Sequence, residues 1–395
     1  RDFPAFLGDP GVLRNLRNLA RSLPSEIRDE ARTVVILTPH SKVPAELLGH
    51  AIVIDWPMPD RVEMTGILDA VLSSLPPELA ATAAQNGVRE AAIDAALGLT
   101  AEEAASCYSK SLVLSRRIDP RQVAAEKKRV IARERVLEWH DPDPRGLEAV
   151  GGLDLLKSWL TTRKAALSPR ARAFGIPAPK GVLLVGVPGG GKSLTAKAVA
   201  TAWGIPLLRL DLGALKSKWV GESEQNIRKA LSVAENVAPC VLWIDEIEKA
   251  LAGSQSESSG VSADALGSVL QWMQERTAPV FVVATANSVT SLPPELLRKG
   301  RFDELFFVDL PTRDERAAIL TAALGGHGRD ASQLDVARIA TETPEFTGAE
   351  LAALVPDALL AAFSDGERAI TTADLIDSIK GVVPLAKTAP EKITA

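Results

Sequence analysis

The chain has 395 residues, of which 46% are hydrophobic and 24% are charged, with a formal net charge of −5. This balance is typical of a globular protein that buries substantial cores, and two or three domains are expected at this length. No apolar run reaches the length of a membrane-spanning helix, and the acidic balance disfavours bulk capture of nucleic acid. The two cysteines, Cys107 and Cys240, fit core packing better than a disulfide framework, which favours a reducing, cytoplasmic location.

The first third of the chain repeats part of a later segment of the same chain. The run "TVVIL" predicts a buried strand, and Thr33–Leu68 parallels Val280–Leu320 strand for strand. Val88–Leu112 then echoes Leu334–Phe363. The visible chain before Thr33 holds no phosphate-binding loop. We therefore interpret residues 1–118 as one module that is built like the rear part of the module after it.

A connecting segment follows at residues 119–146. Pro120–Trp139 begins with a proline, which suits the first turn of a helix, and continues with strong helix formers, so one helix is predicted. His140–Gly146 predicts a loop. The basic residues of this helix could contact phosphate groups. Its glutamates supply partners at helical spacing, however, which favours a solvated face over nucleic-acid binding.

The middle of the chain contains a phosphate-binding motif. Gly186 opens the pattern G-x-x-x-x-G-K-[ST], which ends at Lys192 and Ser193. Val182–Val185 predicts a buried strand before it, and Leu194–Trp203 predicts a helix after it. The glycines let backbone N–H groups converge on phosphates, while the lysine adds charge and the serine offers a hydroxyl to Mg²⁺. A glycine-rich turn without a ligand is the alternative, and the correct flanking elements disfavour it.

Two acids follow the next apolar strand. In "CVLWIDEIEK", Val241–Ile244 predicts a buried strand, and Asp245 and Glu246 emerge at its carboxyl end, where open α/β sheets bind ligands. We expect the aspartate to hold Mg²⁺ and the glutamate to polarise the attacking water. The alternative is an acidic pair that only caps the next helix.

A third polar group follows another predicted strand, Val280–Thr285. Asn287 is placed to orient water or the γ-phosphate. Arg298 and Arg301 come later on a polar segment. These arginines do not easily reach a site on their own strand tips, but in a ring they could enter a neighbour's site as arginine fingers. A solvated basic turn is the alternative.

From Leu147 to Ile379 the sequence resembles the AAA clade of AAA+ ATPases. The resemblance rests on "AVGGLDLLK", the phosphate loop, "WIDE", "RKGRFDE" and "FTGAELAAL". Within the clade, the sequence of these motifs is most similar to the proteins of hypothetical chloroplast reading frame forty-six, a subgroup that occurs in plastids, cyanobacteria and other bacteria. This similarity implies a location of the bacterial-cytoplasm or plastid-stroma type.

The resemblance implies an α/β fold of the P-loop NTPase class. It implies an AAA+ large subdomain with a parallel sheet flanked by helices at residues 147–311, and an α-helical lid with a C-terminal tail at 312–395. Residues 1–118 would be a degenerate AAA+-like module that lacks the P-loop and the arginine fingers. A homo-hexamer that hydrolyses ATP with Mg²⁺ is also implied. Ala323 stands where an adenine-adjacent histidine is often found, which weakens the expected base contacts. The implied nucleotide-binding residues are Gly151, Pro188, Gly189, Gly190, Gly191, Lys192, Ser193, Leu194, Gly348 and Ala349.

A further motif of the clade lies at Lys216–Glu224. Trp219, Val220 and Gly221 match the aromatic–apolar–glycine triplet that lines the axial channel of AAA rings, and the expected threading residues are Lys218, Trp219 and Val220. The tryptophan could grip an extended polypeptide through apolar contact that tolerates many sequences. The alternative is a tryptophan packed in the core, which the neighbouring charged residues disfavour.

These observations predict an ATP-driven hexamer that remodels, unfolds or threads protein substrates, with a protein client or adaptor as partner. Two other functions stay open. The first is a nucleotide-gated assembly scaffold, in which ATP controls assembly and nothing is pulled. The second is a nucleic-acid motor or loader, which the acidic balance disfavours.

Overall fold

The structure is a computed structural model. It divides into two compact units, residues 1–58 and 59–395, which are described separately. The structure describes residues 3–23, 33–37, 43–54, 56–76, 88–133, 137–141, 143–212, 223–248, 260–298 and 300–393.

The first unit contains one α-helix, α1 (Pro10–Ser22), among its described residues. Asp9 caps it by accepting hydrogen bonds from the first backbone N–H groups. The predicted buried strand at "TVVIL" is wrong, because residues 33–37 form no ladder and Val35 and Leu37 are 75% and 83% exposed. A strand needs a hydrogen-bonded neighbour and a covered face, and the described part of this unit offers neither to these residues.

The second unit begins with a four-helix bundle. Its helices are α2 (Arg61–Ser73), α3 (Val88–Ala96), α4 (Ala101–Ser115) and α5 (Pro120–Arg133). Capping boxes start α2 and α4, and Tyr108 is fully buried at the centre of the apolar core.

The predicted connecting helix differs from α5 in two respects. It ends earlier than predicted, since the helix spans Pro120–Arg133 and Trp139 lies in a strand. It also packs inside the bundle, because Val123 is fully buried in the bundle core. The apolar stripe of α5 therefore gives it the role of a bundle helix rather than of a free connector.

A six-stranded sheet forms the centre of the second unit, in the order β1-β3-β4-β5-β2-β6. All neighbouring pairs are parallel except β1 with β3. The strands β2 to β5 carry almost continuous apolar runs, as expected for a sheet covered on both faces. The strands are β1 (Glu138–His140), β2 (Gly181–Gly186), β3 (Leu207–Leu210), β4 (Cys240–Ile244), β5 (Val280–Ala286) and β6 (Glu304–Val308).

Helices cover both faces of this sheet, and each face has its own apolar cluster. The carboxyl ends of β2, β4 and β5 meet at one edge, which is where open α/β sheets bind ligands. The helices are α6 (Asp154–Lys164), α7 (Pro169–Ala173), α8 (Lys192–Trp203), α9 (Ser223–Val237) and α10 (Gly260–Glu275).

The chain ends in a helical subdomain with a separate apolar core. Thr312, Thr347 and Thr371 start three of its helices with capping boxes. Over the described part of the chain, no helix combines the length and apolarity needed to cross a membrane. The helices are α11 (Arg313–Gly326), α12 (Val336–Glu342), α13 (Gly348–Ser364), α14 (Thr372–Ile379) and α15 (Leu385–Thr388).

Candidate functional site

The phosphate-binding motif forms a tight loop between β2 and α8. A Cβ atom at Gly186 would lie 2.0 Å from the carbonyl oxygen of Val308, so only glycine fits this end of β2. Gly189 and Gly191 have φ values of +78° and +91°, which L side chains rarely adopt. The glycines therefore let the backbone turn sharply and begin α8 at Lys192.

Lys192 is 6% exposed, and its ammonium group donates to the carbonyl oxygens of Gly186 and Val187, at 2.7 and 2.8 Å. Burial lowers the pKa of Lys192, and the nearby carboxylates of Glu248, Asp245 and Glu246 oppose this effect. The ammonium group is thus held at the loop by carbonyl oxygens and by acidic neighbours.

The two acids after β4 are held by a single hydroxyl from β5. Thr285 donates to Asp245 Oδ1 at 2.7 Å and accepts from the backbone N–H of Glu246 at 2.9 Å. Ser193 also donates to Asp245 Oδ1, at 3.0 Å. Glu246 has a φ of +48°, a left-handed conformation that is rare outside glycine and is often found at functional sites.

Asn287 lies just past β5 and contacts two glutamates. Its backbone N–H and its side-chain Nδ2 both donate to Glu248 Oε1, each at 3.0 Å. Nδ2 also donates to Glu246 Oε1, at 3.3 Å. The amide is therefore held between the acid expected to polarise water and a second acid further along the chain.

The helical subdomain closes the other side of the site. Ala349, in the first turn of α13, donates its backbone N–H to the carbonyl oxygen of Gly189 in the phosphate loop, at 2.9 Å. A Cβ atom at Gly151 would lie 2.3 Å from Ile319 in α11. The loop before α6 and the phosphate loop therefore both pack directly on the helical subdomain.

Arg145 makes a second connection to the helical subdomain. It donates to the carbonyl oxygen of Ala322 at 2.8 Å and pairs with Asp143 at 2.9 Å. This hydrogen-bonded pairing lowers the pKa of the Asp143 carboxyl and raises the pKa of Arg145.

These groups surround one cavity of about 600 Å³. It is bordered by all ten residues predicted to bind nucleotide and by Asp245, Glu246 and Asn287. Arg298 and Arg301 do not border it, and Arg301 donates instead to the carbonyl oxygen of Glu295.

The predicted threading residues Lys218, Trp219 and Val220 lie outside the described residues.

Sequence reasoning missed four residues of this site, Arg145, Glu248, Thr285 and His327. His327 borders the cavity one helical turn after Ala323, the position where the sequence lacked a histidine. A search of the same face one turn further would have found it. Thr285 was visible as the penultimate residue of β5, where a side chain at the carboxyl end can face the ligand.

The fold and the site define a P-loop nucleoside triphosphatase with a helical lid. Residues 182–310 match the ATPase family associated with various cellular activities (AAA), and residues 333–377 match the AAA+ lid domain. The chain belongs to the AAA ATPase family, to the type named ycf46, and it is an ATP-hydrolysing enzyme.

Three relatives illustrate this placement. The uncharacterized AAA domain-containing protein ycf46 of Guillardia theta is 40% identical over 398 residues, which cover 100% of this chain and 76% of that protein. The protein of the same name from Pyropia yezoensis is 38% identical over 398 residues, which cover 100% of this chain and 79% of that protein. The ATP-dependent zinc metalloprotease FtsH 1 of Conexibacter woesei is 36% identical over 253 residues, covering 62% of this chain and 37% of that protein.

The region before the ATPase domain matches two further profiles. Residues 1–56 match the N-terminal domain of SpoVK-like AAA ATPases, and residues 62–134 match the second domain of that group. This division agrees with the two compact units, whose boundary in the sequence lies between Met58 and Pro59. The interpretation of residues 1–118 as one degenerate AAA+-like module stays a prediction.

Proposed function

We propose that this ATPase remodels or threads protein substrates as a homo-hexamer. The observation that carries the proposal is the hydrogen bond from Ala349 in the lid to Gly189 in the phosphate loop. Because the lid contacts the loop itself, a ligand that binds the loop would also act on the position of the lid. ATP binding and hydrolysis would therefore move one subdomain against the other, which is the motion that a remodelling machine needs.

In the proposed reaction, a water oxygen attacks the γ-phosphorus and the bond from that phosphorus to the bridging oxygen breaks, so that ADP and phosphate form. Glu246 accepts a proton from the water, and Asn287 orients the water or the γ-phosphate. Lys192 places its positive charge against the phosphates, and the loop N–H groups bind their oxygens. The nucleotide lies between this loop and Gly151, Gly348 and Ala349.

The residues present fit a magnesium ion. Ser193 Oγ and Asp245 Oδ1 lie 3.0 Å apart at the mouth of the loop, and hydroxyl and carboxylate oxygens are the ligands that Mg²⁺ prefers. When bound there, the ion would neutralise negative charge on the phosphates.

We infer that Arg298 and Arg301 act on the site of a neighbouring copy. Neither arginine borders the cavity of its own chain, which supports a role at the site of another subunit. Arginine fingers supplied by a neighbour raise related phosphoryl-transfer rates by roughly 10³–10⁵. Hydrolysis would then require assembly.

A protein is the proposed client, with no role for nucleic acid or a membrane, in a cytoplasm of the bacterial or plastid-stroma type. The relative whose printed name is a metalloprotease supports a protein substrate class. Lys218, Trp219 and Val220 would contact the client in the channel of the ring. A nucleotide-gated scaffold is the competing function, and it gives this tryptophan no role.

Two measurements test the proposal. Lys192→Ala and Glu246→Gln should each reduce the ATPase rate at least about 10²-fold, and an unchanged rate would contradict the assigned roles. The Glu246→Gln variant with ATP should retain a permanently unfolded polypeptide such as casein, whereas Glu246→Gln combined with Trp219→Ala should not. Equal retention by both variants would favour the scaffold.

A further inference from the structure

Asn287 is held by the chain in an unusual way, because one carboxylate oxygen accepts two of its N–H groups. Glu248 Oε1 accepts from the backbone N–H and from Nδ2, each at 3.0 Å. The second N–H of Nδ2 points to Glu246 Oε1 at the longer distance of 3.3 Å. An ionised carboxylate only accepts hydrogen bonds, so contact with both glutamates fixes which side of the amide faces them.

We propose that Glu248 is the positioning residue for Asn287. It holds the amide through one N–H of Nδ2, while the other N–H exchanges between Glu246 and the γ-phosphate or the attacking water. The hydrogen bond from Nδ2 to Glu246 is the one that breaks in this exchange, because its length of 3.3 Å is greater than the ordinary range for N–H···O bonds. Its release frees a lone pair of Glu246 for the proton of water. This inference rests on the proposed role of Asn287.

The surroundings of Glu248 support an action through Asn287. Its Oε2 atom is buried and finds no hydrogen-bond partner among the described residues, and its other oxygen serves Asn287 alone among the described contacts. Glu248 also does not border the cavity, so it does not reach the nucleotide itself. A carboxylate oxygen that is buried without a partner is costly, which argues for a function of the oxygen that is used.

A second effect of Glu248 has to be separated from this one. Its charge is the largest of the three acidic influences that raise the pKa of Lys192. Two substitutions distinguish charge from hydrogen bonding. Glu248→Gln removes the charge but keeps an acceptor oxygen for both N–H groups, and its new NH₂ takes the place of Oε2. Glu248→Met keeps the length of the side chain and removes the acceptor.

We expect Glu248→Met to lower kcat for ATP hydrolysis about 10–100-fold while KM changes less than about threefold, because the lost orientation acts in the transition state. Glu248→Gln should stay within about threefold of the parent in both constants. If Glu248→Met does not fold, as judged by circular dichroism and nucleotide binding, Glu248→Ala replaces it. A parental kcat in Glu248→Met overturns the inference. A loss of kcat in Glu248→Gln that equals the loss in Glu248→Met also overturns it.

A double-mutant cycle separates positioning from a merely structural role. If Glu248 acts only through Asn287, then Asn287→Ala and Asn287→Ala combined with Glu248→Met should have the same kcat within about twofold. Additive losses would overturn the inference. A parental rate in Asn287→Ala overturns the role of Asn287 itself, whereas a slow Asn287→Ala beside a fast Glu248→Met overturns only the role of Glu248.

Discussion

At the scale of single residues, the turn that carries both acids depends on one hydroxyl. Glu246 has a φ of +48°, and such a conformation costs on the order of 1 kcal/mol for a residue other than glycine. Thr285 accepts the N–H of Glu246 and donates to Asp245, so it fixes the strained turn from the neighbouring strand. Its side chain is 1% exposed, so water does not easily replace it.

Thr285→Val should therefore reduce catalysis more than binding. Valine has nearly the same shape but leaves the N–H of Glu246 without its acceptor, which costs about 1–3 kcal/mol of stability. We expect kcat to fall about 10–100-fold, because Glu246 loses its fixed direction, while the Kd for a fluorescent ATP analogue changes less than about threefold. Steady-state ATPase assays and fluorescence titration measure the two constants.

Thr343→Val is the matched control for this substitution. Thr343 is also fully buried, and its hydroxyl donates to the carbonyl oxygen of Ile339 inside the lid, away from the cavity. This variant should lose stability but keep its kcat. An equal kcat in the two variants would show that the Thr285 hydroxyl does not serve the acids.

At the scale of elements, apolar runs predicted the central strands well. Val182–Val185, Val241–Ile244 and Val280–Thr285 all lie in parallel strands that are covered on both faces. The run "TVVIL" has the same composition but forms no strand. A run of β-branched residues shows that a segment would fit a sheet, yet only the rest of the fold decides whether neighbouring strands exist.

Edge elements and contacts between distant residues were the least predictable parts. The three-residue strand β1 carries Trp139 and exists because β3 offers it an edge, which no local pattern shows. Arg145 contacts Ala322, which lies 177 residues later in the sequence. Glu248, which follows β4, contacts Asn287, which follows β5. Motif spacing located the residues of the loop and the strand ends, but it carries no information about such partners.

The four-helix bundle contacts the sheet domain closely at Gly98, in the turn between α3 and α4. A Cβ atom there would lie 1.5 Å from the carbonyl oxygen of Asn236 in α9. Gly98→Ala should therefore force the bundle away from the sheet domain. We expect a loss of at least about 3 kcal/mol in the free energy of unfolding, measured by urea denaturation.

Gly175→Ala is the control for backbone conformation. Gly175 has a φ of +90°, close to the +86° of Gly98, but nothing lies within 4 Å of its Cβ position. Gly175→Ala should lower the free energy of unfolding by only about 1 kcal/mol, because alanine is strained in the left-handed conformation. Similar losses in both variants would mean that the contact between Gly98 and Asn236 adds nothing to stability.

A buried lysine lies at the same junction. Lys127 in α5 is 3% exposed and donates to the carbonyl oxygen of Leu97, and burial lowers its pKa from 10.5 to about 8. Cys240 in β4, whose pKa burial raises to about 12, lies close enough to influence it. Between pH 8 and 10.5 the unfolded chain binds this proton and the folded chain does not. The contribution of Lys127 to stability should therefore rise with pH across that window, whereas the raised pKa of Cys240 acts in the opposite direction above pH 9.

Lys127→Met should remove this rise. The shift of about 2.5 pKa units corresponds to about 3 kcal/mol, so the parent should gain up to that amount relative to the variant between pH 8 and 10.5. Urea denaturation over a pH series measures the difference. Lys128→Met, at the partly exposed neighbour that pairs with Asp141, should follow the parent curve. If the free energies of unfolding of the parent and of Lys127→Met change with pH in parallel, Lys127 is not neutral in the folded protein within this window.

At the scale of the whole molecule, the cavity is built from both subdomains but lacks the two arginines. Ala349 and Arg145 connect the lid to the phosphate loop and to the segment before α6, so residues of one chain line the cavity. Arg298 and Arg301 do not border this enclosure. If they serve a neighbour, each active site takes its acids from one copy and its guanidinium groups from the next. This division can be tested by mixing two inactive proteins.

Glu246→Gln keeps both arginines, whereas Arg298→Ala combined with Arg301→Ala keeps the glutamate. Each protein alone should hydrolyse ATP at least about 10²-fold more slowly than the parent. After the two are mixed in equal amounts and allowed to exchange subunits, a site with the glutamate has an arginine-bearing neighbour in about half of the cases, so about a quarter of the parental rate should return. The arginine variant mixed with Glu246→Gln that also lacks both arginines is the control, and it should stay inactive. Because no subunit in the first mixture is active by itself, recovered hydrolysis can come only from sites shared between copies. A mixture that stays inactive despite proven subunit exchange, or an arginine variant that is fully active alone, would confine catalysis to the single chain.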